Sequence, residues 1–237
     1  MSQEKNGNMT IGALVAEDYR IADVFEKHGI DFCCGGQATL AATCQENDLD
    51  LTKILLEMET VKKEPIGHSE NFATWSLPFL IDYIVNTHHA YLKENDAHIV
   101  AYARKIAEVH RVHHPEVIEI ATIFAKIADD MAVHLKAEEE VFFPAVKRVD
   151  TAVSSGQDPQ SDDRALIKSE LTKLHREHEQ IGDAIHKIRH LAADYAIPED
   201  ACNTFVITYK KLKEFEDDLH KHVHLENNIL FLKAAQL

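Results

Sequence analysis

Sixteen histidines stand in a chain of 237 residues that has one Trp and six Tyr. Histidine is the commonest metal-ligand side chain and titrates near neutral pH, so the placement of these residues carries the chemistry. Two of them begin a His-x-x-x-Glu unit on long apolar stripes: His134 with Glu138, and His222 with Glu226. Residues four apart share one helix face, about one turn from each other. The stripes read Ile120, Phe124, Ile127, Met131, His134, Glu138, Val141, Ala145, and Phe205, Thr208, Leu212, Phe215, Leu219, His222, Glu226, Ile229. A third stripe, Ile167, Leu171, Leu174, His178, Ile181, Ile185, Ile188, carries a single His. A fourth segment has Val85, Leu92, Ile99 and Ile106 on its apolar side, bordered by both His88 and His89, and periodicity does not choose between those two.

These stripes need long helices to carry them. The breakers cluster at Pro65 and Gly67, Pro115, Gly156 and Pro159, and Pro198, which leaves four segments of about 77–112, 116–147, 163–194 and 199–234. Ser76 followed by Pro78 reads as a helix start, and Pro144 is expected to bend or end the second helix. Four such helices with short loops predict an all-α chain built on an up-down-up-down bundle. His89 lies 45 residues before His134, and His178 lies 44 before His222, so each half reads His … His-x-x-x-Glu and the four histidines fall on one level. Residues 1–64 read separately, as a small helical domain. Thr10 caps a helix running to about His28, the turn GIDFCCGG follows, and two short helices lie at about 37–47 and 50–63. Residues 76–237 form the bundle domain.

Four imidazoles and two carboxylates on one level of an apolar core would consume the whole stability of a domain, roughly 5–15 kcal/mol, unless something satisfies them. A pair of metal ions does so. One carboxylate from each half bridges, two histidines complete each side, and imidazole with carboxylate suits iron. Six inward ligands are too many for one closed zinc site. A ferritin-type site needs Glu-x-x-His, and no Glu here has His three residues on. His175 with Glu179 repeats the spacing but sits beside the stripe through His178, so it is read as ordinary. His110, His113 and His114 cluster near an inter-helix loop and are assigned to the surface; His220 and His224 flank His222 and are expected to be solvated.

Composition limits the partners. Twenty-five Lys and Arg against 40 Asp and Glu give −15, which argues against nucleic acid and against an anionic membrane surface. The apolar runs fall far short of the roughly 20 residues that span a bilayer, and the first residues do not read as a secretory signal. Four cysteines make no disulfide scaffold, so a reduced, cytoplasmic setting is expected. Cys33 and Cys34 are adjacent. Their Cα atoms are about 3.8 Å apart, too close for an unstrained disulfide, which suits transient soft-metal binding or redox contact with a partner. Cys44 and Cys202 are expected to be structural.

DFCCGGQATL (31–40), HLKAEEEVFFP (134–144), HREHEQIG (175–182) and HKHVHLENNILF (220–231) together resemble the iron–sulfur cluster repair di-iron family, also called repair-of-iron-centres proteins, of the ScdA/YtfE type. The resemblance spans nearly the whole chain. It implies a double-cysteine domain followed by a hemerythrin-like bundle. Its metal ligands would be His89, His134, Glu138, His178, His222 and Glu226, which selects His89 over His88. It also implies two iron ions with an oxo or hydroxo bridge, iron more labile than in oxygen-carrying hemerythrins, and a functional role for Cys33 and Cys34. The expected function is supply of iron to clusters damaged by oxidative or nitrosative stress, with iron–sulfur proteins as clients. Reduction of nitric oxide, or binding and sensing of nitric oxide or oxygen, is the alternative. A homodimer through the small domain stays open.

Overall fold

The structure is a computed structural model that describes residues 6–32, 35–63 and 71–237. Cys33, Cys34 and the expected linker at Pro65 and Gly67 lie outside the described residues. The chain forms two compact units, one holding residues up to Leu80 together with His220–Gln236, the other Ile81–Leu219.

The first unit contains α1 (Ile11–Glu17), α2 (Ile21–Lys27), α3 (Leu40–Glu46) and α4 (Leu51–Lys62), followed by a 3-10 turn at Phe72–Thr74. Thr10, Thr39 and Asp50 cap three of these helices, each accepting a backbone N–H three residues on. An antiparallel bridge between Thr10 and Thr39 brings the starts of α1 and α3 together. The sequence predicts one helix from Thr10 to His28; the structure has two. Asp18 is extended, and its carboxylate accepts the backbone N–H and guanidinium of Arg20. Local side-chain bonding of this kind competes with the helical ladder and breaks it. Leu14, Ile21, Phe25, Phe32, Leu40, Ile54 and Met58 form the core.

Long helices make up the rest of the chain. α5 (Leu77–Ile84) passes through a π turn at Val85–His89 into α6 (Ala90–His110). α7 (Glu116–Ala137) passes through a π turn at Glu138–Phe142 into α8 (Phe143–Ser154), and α9 spans Ser161–Leu191. α10 (Asn203–Leu225) leads into a third π turn at Glu226–Leu230 and then α11 (Phe231–Ala234). The unit borders fall inside α5 and α10, and both helices run on unbroken. α7 packs on α6 and α9. Phe124 and Phe215, both fully buried, meet edge to face between α7 and α10. Pro144 does not end its helix. It falls at the start of α8, immediately past the π turn, where its missing N–H is least costly, and the helix continues to Ser154. Among the described residues no helix is long and apolar enough to cross a membrane.

The π turns shift the register. Straight periodicity places Val141 on the buried stripe, yet Val141 is 39% exposed and Phe142 is fully buried. A π turn holds one more residue than an α turn, which rotates the following residue into the core.

Candidate metal centre

All three π turns among the described residues carry a histidine or glutamate of the expected ligand set. His89 is the last residue of the first, Glu138 opens the second, and Glu226 opens the third. His134 and His222 stand one turn before their glutamates, and His178 projects from the middle of α9. All six are buried, with His89, Glu138, His222 and Glu226 at zero exposure.

The structure separates His88 from His89. His88 Nδ1 meets Asp218 Oδ1 at 2.9 Å, an ion-pair geometry that commits it to α10. His89 instead turns Nε2 toward Glu138 Oε2 at 3.5 Å, and His134 Nε2 approaches the same oxygen at 3.4 Å. His134 Nε2 also faces His178 Nε2 at 3.0 Å. In the last helix His222 Nε2 lies 3.1 Å from Glu226 Oε2.

The outer nitrogens settle which atoms are lone pairs. His89 Nδ1 donates to Glu139 Oε1 at 2.7 Å, and His134 Nδ1 donates to Glu177 Oε2 at 2.9 Å. With the proton outside, each Nε2 is a lone pair pointing inward. Burial pushes the Glu139 carboxyl up, but hydrogen bonds from Lys93 and His89 outweigh it and hold the group below the usual range. The bond from His134 likewise holds Glu177 low. Both outer carboxylates are therefore ionised at neutral pH and lock the ring tautomers.

Inward lone pairs converging on buried carboxylates form a concentration of electron density that a cation fits. Ligand atoms of His89, Glu138, His222 and Glu226 lie within 4.8 Å of one another, and so do those of His134, Glu138, His178 and Glu226. The two groups share both carboxylates and divide the four imidazoles two and two. Each group offers a mixed nitrogen–oxygen set suited to a first-row transition metal.

Two family descriptions match this chain. Residues 80–234 match the family described as hemerythrin HHE cation binding domain, and residues 7–62 match the family named ScdA_N, a domain of unknown function. The chain is 34% identical over 227 residues to the iron–sulfur cluster repair protein ScdA of Staphylococcus epidermidis, covering 95% of this chain and 97% of the relative. The chain belongs to the ScdA/YtfE iron–sulfur cluster repair family. ScdA of Staphylococcus haemolyticus is 32% identical over 96% of this chain and 99% of its own length. YtfE of Yersinia pestis is 29% identical, with 97% of each chain covered.

Several expectations for this member of the ScdA/YtfE family need correction. His220 and His224 are not solvated: they are 7% and 0% exposed. His224 packs against Tyr19 and Phe32, with Nδ1 3.1 Å from Asn228 Nδ2, and burial pulls its pKa down to about 3, so the ring is neutral. Cys202 is exposed rather than structural, its Sγ 3.1 Å from His110 Nε2; Cys44 is buried. His110 is half-buried against Phe205, and His114 bridges Asp200 and Glu116, which raise its pKa. His175 is half-buried and Glu179 exposed, and neither joins the two groups. A third group, His186, Glu216 and His220, also brings ligand atoms within 4.8 Å. There the Arg189 guanidinium lies 2.8 Å from Glu216, so a cation would have to displace an arginine already neutralising the carboxylate.

Proposed function

We propose that this protein holds two iron ions in the centre described above and supplies iron for the repair of damaged iron–sulfur clusters. His89 and His222 would hold one ion and His134 and His178 the other, with Glu138 and Glu226 common to both groups. The observation that carries the reading is the sharing of both buried carboxylates by two histidine pairs, one member of each pair, His89 and His134, having its outer nitrogen bonded to a carboxylate. Two carboxylates and two imidazoles would leave each ion open to an outside ligand, which is what exchangeable iron requires.

The residues divide the work by position. Glu139 and Glu177 orient His89 and His134, and the apolar stripes above and below exclude water. Cys33 and Cys34, in the domain read as 1–64, receive iron from the bundle domain, 76–237, or dock on the client. The relatives' names point to iron–sulfur proteins as clients, and a reduced cytoplasmic setting belongs to the same reading. The paired arrangement of the two groups also favours a second reading, reduction of nitric oxide with one electron from each of two ferrous ions.

The test is reactivation of an iron-depleted iron–sulfur dehydratase. Iron-loaded protein should outperform equimolar free iron, and a Cys33→Ala/Cys34→Ala variant should lose the advantage while keeping its iron. Equal performance of protein and free iron sinks the repair reading. More than one N2O per protein, from protein kept reduced by an excess of a one-electron donor under anaerobic nitric oxide, establishes the second.

A further inference from the structure

Cys202 and His110 form a nucleophile–base pair that the metal centre leaves unused. Cys202 is exposed, and its Sγ lies 3.1 Å from His110 Nε2. The two residues stand at opposite helix ends. His110 is the last residue of α6, a helix of 21 residues. Cys202 immediately precedes α10, a helix of 23, and its carbonyl accepts the Val206 N–H at 3.1 Å. A helix C-terminus favours positive charge and an N-terminus negative charge. Both ends therefore favour the charges that develop as a proton passes from sulfur to imidazole. At about 1.5 Å per residue the pair stands about 30 Å along α6 from His89.

The surroundings fix the ring and occupy the nearest carboxylates. Phe205, fully buried, meets the His110 ring edge to face at 5.2 Å and the His114 ring at the same distance. His114 Nε2 lies 3.0 Å from Asp200 Oδ1, and its Nδ1 lies 3.1 Å from Glu116 Oε1. Those carboxylates raise the His114 pKa, and His114 in turn holds the Asp200 carboxyl low. The negative charge two residues before Cys202 is thus met by His114, which leaves His110 as the base in reach of the sulfur.

We propose that Cys202 and His110 form a thiol–imidazole site that is S-thiolated by low-molecular-weight disulfides. Sγ–H gives its proton to His110 Nε2, and Sγ forms a bond to one sulfur of the disulfide. The disulfide's own S–S bond breaks, and the departing thiolate takes the proton from His110. One S–S bond forms as one is lost, so the disulfide is the only oxidant the exchange consumes. Exposure at Sγ admits such a molecule. Cys44 offers the contrast: it is buried, and burial pushes its thiol up. The exchange needs no bound iron.

The experiment incubates full-length protein with glutathione disulfide, anaerobically at about pH 7. Tryptic digestion and mass spectrometry then follow residues 190–210, which contain Cys202 as their only cysteine. An ordinary thiol is only about a few per cent thiolate at that pH. Cys202 in the protein should therefore gain the glutathionyl group at least about tenfold faster than in a synthetic peptide of residues 190–210. His110→Gln should bring the protein to within about twofold of the peptide. At about pH 9.5, where ordinary thiols are largely ionised, parent and variant should agree within about twofold. A parent rate equal to the peptide's overturns the proposal without any variant having to fold. A parent-like rate in His110→Gln overturns it too. So does a gap between parent and variant that persists at the higher pH, because the ring would then only shape access to the sulfur.

Discussion

Truncating the outer carboxylates tests the centre without touching a ligand. Glu139→Ala removes the acceptor of His89 Nδ1–H, and Glu177→Ala removes that of His134 Nδ1–H, at 2.7 and 2.9 Å. Loss of such a partner typically weakens metal binding about 10–100-fold, or about 1.4–2.7 kcal/mol. The lower half of that range applies here. Glu139 and Glu177 are about a quarter exposed, 25% and 26%, so water can replace the lost acceptor, and Lys93 already shares Glu139. The expected loss is therefore about 10–30-fold for each. Removing both should depart from the product of the two losses, because His89 and His134 approach the same Glu138 oxygen and belong to one network. His175→Ala, one turn from His178 and outside both groups, should leave affinity unchanged. Competition against a chromophoric chelator, with iron per chain counted, measures all four. Parent affinity in both glutamate variants, or a His175→Ala loss as large as theirs, would refute the argument from ring tautomers.

Three further outcomes follow from the same structure. His134→Ala and Glu138→Ala should each sharply reduce iron per chain by elemental analysis, Glu138→Ala the more because both ligand groups share that carboxylate. Stripping iron should lower the thermal midpoint, since an ion present at 100 times its dissociation constant adds about 2.7 kcal/mol; scanning calorimetry should show that difference shrink in His134→Ala. Burial raises the Asp96 carboxyl to about 7. Its folded value lies above its unfolded one, so it costs stability as pH rises from about 4 to about 7 and the cost then levels off. Asp96→Asn should therefore stabilise at pH 8 by on the order of 1–3 kcal/mol and change little near pH 4, measured by urea unfolding.

The helices and five of the six buried residues of the two groups were legible because their signals are local, whereas the choice of His89 over His88 came from the family resemblance. Period, breakers and matched spacing lie within single segments, and the stripes through His178 and His222 stay in register. The π turns were not legible, since one extra residue alters neither composition nor helix length. Its trace is the exchange of Val141 for Phe142 on the buried face. The break at Asp18 depends on hydrogen bonds from the backbone and guanidinium of Arg20 to one carboxylate. The burial of His224 depends on contacts from far along the chain: Tyr19 and Phe32 supply its walls, and Asn228 reaches back 196 residues. A helical wheel grants a segment one buried face, whereas nearly every residue from His222 to Phe231 is enclosed.

The π turns also bear on transplantation. Grafting these six side chains onto ideal straight helices would leave Glu138 and Glu226 at helical phase while the residues beyond them arrive about 100° out of place. Deleting Val141 should close its turn into ordinary helix and leave Phe142 on the core face, three residues after Glu138, where straight periodicity buries a residue. A designer who copies the ligands must copy the surplus residues as well, and a search for remote kin should tolerate single-residue gaps there.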